Sequence, residues 1–128
     1  MYIPTYDDML AAHERIKPHI RRTPIRTSDY LNEVTGAQLF FKCENFQKTG
    51  AFKVRGAANK ITQLGEAKII CAHSSGNHAQ AVTYVGRKLG LTVKIVMPSD
   101  TPQVKKNAVK GYGAEVIESG PTMADQEK

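Results

Sequence analysis

Ser74-Ser75-Gly76-Asn77-His78-Ala79-Gln80 decides how this chain is read. An apolar run, Lys68-Ile69-Ile70-Cys71-Ala72, leads into it, and a helix-compatible run, Ala79 to Leu89, leaves it. Strand, polar turn and helix in that order mark the place where open α/β folds hold ligands, beyond the carboxyl end of a strand. The turn offers two hydroxyls, a glycine that permits close backbone approach, an amide, an imidazole and the free N–H groups of a helix start. Such a turn suits a carboxylate. Asn77 could equally cap the helix of an unliganded turn, and the turn alone supports both readings.

Lys53 moves the balance towards a ligand site. It stands in Lys42-Cys43-Glu44-Asn45-Phe46-Gln47-Lys48-Thr49-Gly50-Ala51-Phe52-Lys53-Val54-Arg55-Gly56-Ala57. That run closely resembles the Schiff-base lysine motif of fold-type II pyridoxal-phosphate enzymes. Ser74-Ser75-Gly76-Asn77-His78-Ala79-Gln80-Ala81 resembles the substrate-carboxylate loop of the same family. The branch it looks most like is threonine/serine dehydratase (threonine ammonia-lyase) and serine racemase. The cysteine synthase branch usually carries a threonine where His78 stands. The resemblance covers nearly the whole chain.

The resemblance implies an α/β fold: an open parallel sheet with flanking helices, of the tryptophan synthase β-like architecture, present as a partial chain. Members of the family are more than twice as long. Their glycine-rich phosphate loop and the partner of the pyridine nitrogen come later, and nothing here matches either. Residues 1–65 would belong to the large cofactor-binding domain and 66–128 to the small αβ domain that carries the substrate loop. The implied cofactor is pyridoxal 5′-phosphate, with no metal. Lys53 would anchor it and act as base. Phe52 would pack on its ring and the Asn77 amide would bond its 3′ oxygen. Ser74, Ser75, Gly76, Asn77 and His78 would cradle the substrate carboxylate. The matching serine of racemases carries a proton on the opposite face, so Ser75 has a second implied role. The implied reaction is deamination of L-threonine or L-serine to a 2-oxo acid and ammonia. Serine racemase or another β-hydroxy amino acid ammonia-lyase is the alternative. The full-length enzyme would be a homodimer or homotetramer.

Length and composition bound these readings. The 128 residues suffice for one modest domain with a real core, and the 41% apolar content argues against disorder. The net charge of +6 is scattered, with small groups at Arg21-Arg22 and Lys105-Lys106. No aromatic-rich basic stripe accompanies them, which argues against nucleic acid, and anionic metabolites fit the charge. A non-catalytic module binding such metabolites stays open, and would show no cofactor absorbance. Cys43 and Cys71 lack metal spacing and read as buried thiols of a reducing compartment. Asp7 and Asp8 interrupt any early apolar run, so no signal peptide is expected. No apolar stretch approaches membrane-spanning length. A cytoplasmic location is the expectation.

Along the chain, Thr5 with Asp8 forms a capping box for a helix from Tyr6 that Pro18 ends near Lys17. Met9, Ile16 and Ile20 give that helix a stripe, with His13 half-buried on it. Ser28 opens a short helix through Val34, and Gly36 stops it. Gln38–Glu44 alternates as a strand, Glu44–Gly50 is a polar turn, and a helix runs from about Ala51 to Leu64. Val54, Ala57, Ala58 and Ile61 bury one face of it, and Gly56 admits a close neighbour. Lys53 falls in its first turn. There a cation opposes the helix dipole, and burial disfavours charge. Both favour the neutral amine that condenses with an aldehyde. Strand Lys68–Ala72, helix Asn77–Leu89, strand Thr92–Met97, helix Pro102–Tyr112 and strand Ala114–Glu118 then argue a parallel sheet. Gly120–Lys128 reads as a polar tail.

Overall fold

The structure is a computed structural model that describes residues 2–120. The expected polar tail therefore lies, after Gly120, outside the described residues. Helix α1 (Tyr6–Ile16) starts at the expected capping box: Asp8 N–H donates to Thr5 Oγ1 at 3.3 Å, and Thr5 N–H to Asp8 Oδ2 at 2.7 Å. Lys17 is its carboxyl cap. Only Ile16 of α1 is buried; Met9 and His13 are exposed, so the half-buried His13 is not found. One turn of apolar contact, against α3, is all that α1 makes.

Strand β1 (Ile25–Arg26) precedes α2 (Asp29–Thr35), and β2 (Phe41–Lys42) follows it. Ser28 Oγ accepts the Leu31 N–H at the start of α2, and Gly36 ends it at φ +66°. The two strands pair antiparallel, Ile25 with Lys42 and Arg26 with Phe41. The alternation over Gln38–Glu44 thus yields two paired residues, because a two-residue partner limits the ladder. Two 3₁₀ turns, Glu44–Phe46 and Lys48–Gly50, occupy the expected polar turn. Helix α3 (Lys53–Ile61) is shorter at both ends than its apolar pattern predicts. Its expected face, Val54, Ala57, Ala58 and Ile61, is buried.

Strands β3 (Ile69–His73), β4 (Thr92–Pro98) and β5 (Glu115–Ser119) form one parallel sheet in the order β3-β4-β5, with α4 (Asn77–Lys88) and α5 (Gln103–Gly111) between them. Central β4 alternates, burying Val93, Ile95 and Met97. Those side chains meet α4, whose Ala79, Ala81, Val82 and Val85 are also buried, and α4 packs in turn on α3. The close approach falls at Gly86. A Cβ there would lie 2.6 Å from both Ile70 Cδ1 and Val93 Cγ2. Gly56, the expected position, is exposed with nothing near it. The pairing carries all three strands so that the turns after β3, β4 and β5 share one edge of the sheet. Cys43 is half-buried and Cys71 exposed, because Cys71 sits on the outward face of edge strand β3. No described helix is long and apolar enough to cross a membrane.

Candidate active site

Lys53 is the first residue of α3, and its position is set by a polar scaffold just before it. Gln47 is buried and fully used: Oε1 accepts the N–H groups of Arg21 and Lys48, and Nε2 donates to the Arg21 carbonyl at 2.7 Å. Thr49 then turns the chain at φ +61°, followed by Gly50 at φ +69°. Two successive left-handed residues reverse the backbone into α3, and the first is not glycine, a strained choice of the kind found at functional sites. One turn into α3, Arg55 clasps Glu44 with both arms, Nε at 2.9 Å and Nη2 at 2.8 Å. Thr23 Oγ1 donates to the same carboxylate at 2.5 Å. The Arg55 hydrogen bonds, more than the opposing burial, hold the Glu44 carboxyl down at about 2. Sequence reasoning passed over this hub, although Glu44 and Arg55 both stand in the quoted motif.

The Lys53 side chain itself is exposed, so the expected burial is absent and only the helix-end argument survives in this chain. Phe52 is exposed as well, at 59%, which removes the reading of it as a core phenylalanine. The Lys53 amine lies 5.2 Å from the Phe52 ring centre. Amine and aromatic face are thus presented together at the surface.

Ser74, Ser75 and Gly76 form a half-buried turn directly after β3. Ser74 N–H donates to the Val96 carbonyl of β4 at 3.2 Å, and Ser74 Oγ accepts the Gly76 N–H at 3.2 Å. Gly76, not Asn77, is the amino cap of α4, and no side chain caps it. Asn77 is the first helical residue and leaves its amide exposed for a ligand. The first-turn N–H groups of Asn77 and His78 have no carbonyl one turn back to bond. His78 is exposed at one edge, yet enough of its ring is shielded for burial to be the main cause that lowers its pKa. The positive charges of Lys53 and His73 push it down further. The amine of α3 and the imidazole of the loop therefore share one field, as the sequence expects of a single site.

A cavity of about 420 Å³ adjoins the loop, walled by Gly56 and Lys60 of α3, Ile69 and Cys71 of β3, and His78 and Val82 of α4. A larger basic cavity, about 600 Å³ between His13, Lys17, Arg22, Lys42 and Arg55, contains none of the candidate site residues. No group of three metal-ligating side chains occurs among the described residues.

Comparison with known proteins agrees with this geometry. Residues 16–128 match the family model described as "Pyridoxal-phosphate dependent enzyme". The whole chain is 60% identical, over 131 aligned positions, to 42% of the β-hydroxyaspartate dehydratase of Paracoccus denitrificans. It is 49% identical to 41% of the serine racemase of Schizosaccharomyces pombe, again along its whole length. The structure of maize serine racemase superposes on 98% of the chain with a TM-score of 0.93 at 41% identity, using 39% of that chain. The chain thus spans about two fifths of the length of the relatives it matches.

Proposed function

The chain belongs to the family of pyridoxal-phosphate dependent enzymes, and on that premise we propose that the full-length protein deaminates a β-hydroxy amino acid to a 2-oxo acid and ammonia. One observation carries the proposal: Lys53 at the head of α3 and the Ser74–His78 turn at the head of α4 face each other closely enough for the Lys53 charge to depress His78. The residues present fit the cofactor, since an accessible amine, an adjacent aromatic face and an exposed amide surround one opening. Lys53 would hold the group, with Phe52 against it and Asn77 at its oxygen. When bound, pyridoxal phosphate supplies the electron sink that makes the Cα proton of an amino acid acidic.

The chain's own residues then have separate tasks. The N–H groups of Gly76, Asn77 and His78, with the hydroxyls of Ser74 and Ser75, receive the substrate carboxylate at the positive end of α4. The Lys53 amine takes the Cα proton. Loss of the β-hydroxyl as water follows, and a second water then releases ammonia and leaves the 2-oxo acid. His78 favours its neutral form, so it donates a hydrogen bond without adding a second full charge beside Lys53.

Among hydroxy amino acids, 3-hydroxyaspartate is preferred to L-serine and L-threonine on this reading. Lys53, His73 and His78 make the opening basic, which suits a substrate with two carboxylates, and the Paracoccus relative is named for such a substrate. The test is the rate of 2-oxo acid release from the three substrates. Preference for threonine would overturn the substrate assignment, and release from none of them would overturn the reaction. Borohydride reduction and peptide mapping should place a pyridoxyl label on Lys53.

Racemisation is supported as a second activity by one feature, the half-buried Ser75 hydroxyl in the same turn. Elimination needs a proton removed on the Lys53 side only. Ser75→Ala should therefore lower D-serine formation far more than pyruvate formation. A parallel fall would make Ser75 a carboxylate ligand and nothing more.

A further inference from the structure

Lys106 is the single charged residue in the buried class among the described residues, 5% exposed in the middle of α5. Its amine donates to the Ser99 carbonyl at 2.8 Å and pairs with Glu118 Oε1 at 2.9 Å. Ser99 lies in the turn after β4, and Glu118 at the end of β5. The same two strand ends are joined by Ser99 N–H to the Ser119 carbonyl at 2.9 Å, and by Ser119 Oγ to the Met97 carbonyl at 3.4 Å. A lysine is buried at this cost only where partners satisfy it. Here the partners all belong to the sheet edge on which the ligand turn stands. Val96, three positions before Ser99 on β4, accepts the Ser74 N–H, which is the backbone bond that fixes the entry of that turn.

We infer that Lys106 is a positioning residue for the Ser74–His78 turn, acting through the end of β4 on the carboxylate-binding N–H groups; the inference rests on the function proposed above. With the amine gone, the buried-side Ser99 carbonyl loses its donor and the β4–β5 ends lose their clamp. The Val96 carbonyl then wanders, and Ser74 with it. Lys53 stands on α3, outside this connection, and keeps its place. Loss of Lys106 should therefore weaken amino acid binding and leave the proton-transfer group intact, since small misplacements of binding groups are costly in rate.

The experiment uses the full-length holoenzyme. Lys106→Met should raise KM for the amino acid on the order of 10-fold and change kcat by less than about 3-fold. Hydrogen exchange at the Ser74 and Gly76 amides should speed up about 10-fold, while Lys53 still takes the pyridoxyl label. Lys106→Arg, which reaches both acceptors, should restore KM and exchange. Unchanged KM and unchanged exchange in Lys106→Met overturn the inference, as does a fall in kcat at constant KM. Faster exchange of the turn in a protein with no turnover upholds the positioning role and removes the function reading instead. Should Lys106→Met not fold, Glu118→Gln carries the test: it should loosen the same amides by about 2-fold, because the Ser99 bond persists, and no change would overturn the clamp.

Discussion

The αβ unit after Lys68 and the segment before it are built on different physics. In the first, a parallel sheet buries Val93, Ile95 and Met97 against an α4 so close that Gly86 admits no Cβ. In the second, α2 buries nothing fully, Tyr30 and Phe40 are 72% and 69% exposed, and strands of two residues carry the pairing. Order there comes from side chains bonding backbone and each other: Gln47 on Arg21, and Glu44 on Arg55 and Thr23. The difference teaches where each candidate group gets its precision. The ligand turn inherits it from a dry sheet, and Lys53 from a polar hub. The apolar side chains left outside in the earlier segment match the fact that relatives are more than twice as long: such a surface is what further chain or a partner would cover.

Three substitutions would sharpen or break this contrast. Gly86→Ala should have the largest effect. The new methyl must displace Ile70 and Val93 together, both buried, and overpacking of this kind costs up to about 3 kcal/mol. Thermal or denaturant unfolding should show that loss. A cost below about 0.5 kcal/mol, the level of an ordinary surface change, would mean the sheet and α4 are not so tightly apposed.

Glu44→Gln should come next, at about 2 kcal/mol, by removing a charge-assisted bond pair from a half-buried place. Acid should reproduce it in the native protein. The Glu44 carboxyl is held at about 2 in the folded state against an ordinary 4.5. A depressed carboxyl contributes stability above the unfolded value. That contribution is therefore complete above about pH 4.5 and fades as pH falls towards 2. Hydrogen exchange around residues 21–55 should rise over that window, before the αβ unit opens. Simultaneous opening of both parts would erase the contrast.

The same contrast explains what the sequence made legible. Signals that act within one turn were readable: the Thr5–Asp8 box, the Ser28 cap, Gly36, and the strand–helix order that places Ser74–His78 at the sheet's edge. Juxtapositions across the fold were not. Gly56 and Gly86 look alike as letters, and only the sheet behind α4 distinguishes them. The burial of Lys53 and Phe52 depends on what faces them, which no local pattern states. Asn77 has the chemistry of a cap, but the helix begins one residue too late for it to serve as one. Glu44 and Arg55 are eleven positions apart and meet only because two 3₁₀ turns fold the chain back between them.

Ser28→Ala should give the smallest effect of the three and tests the polar side of the contrast at its weakest point. Ser28 Oγ accepts the Leu31 N–H at 3.3 Å, a long bond at the start of a helix of seven residues. A serine cap is worth about 1 kcal/mol, and a helix so short has little propagation to offset its nucleation. If α2 is held by its ends rather than by packing, the loss should appear as local opening. Exchange of the Leu31, Asn32 and Glu33 amides should rise about 5-fold, the factor that 1 kcal/mol corresponds to, while amides of β4 stay as they were. A change shared equally by β4 would show that α2 and the sheet unfold as one unit. In that case the earlier segment would draw its order from the apolar core after all, and the Glu44 hub would be an accessory to it.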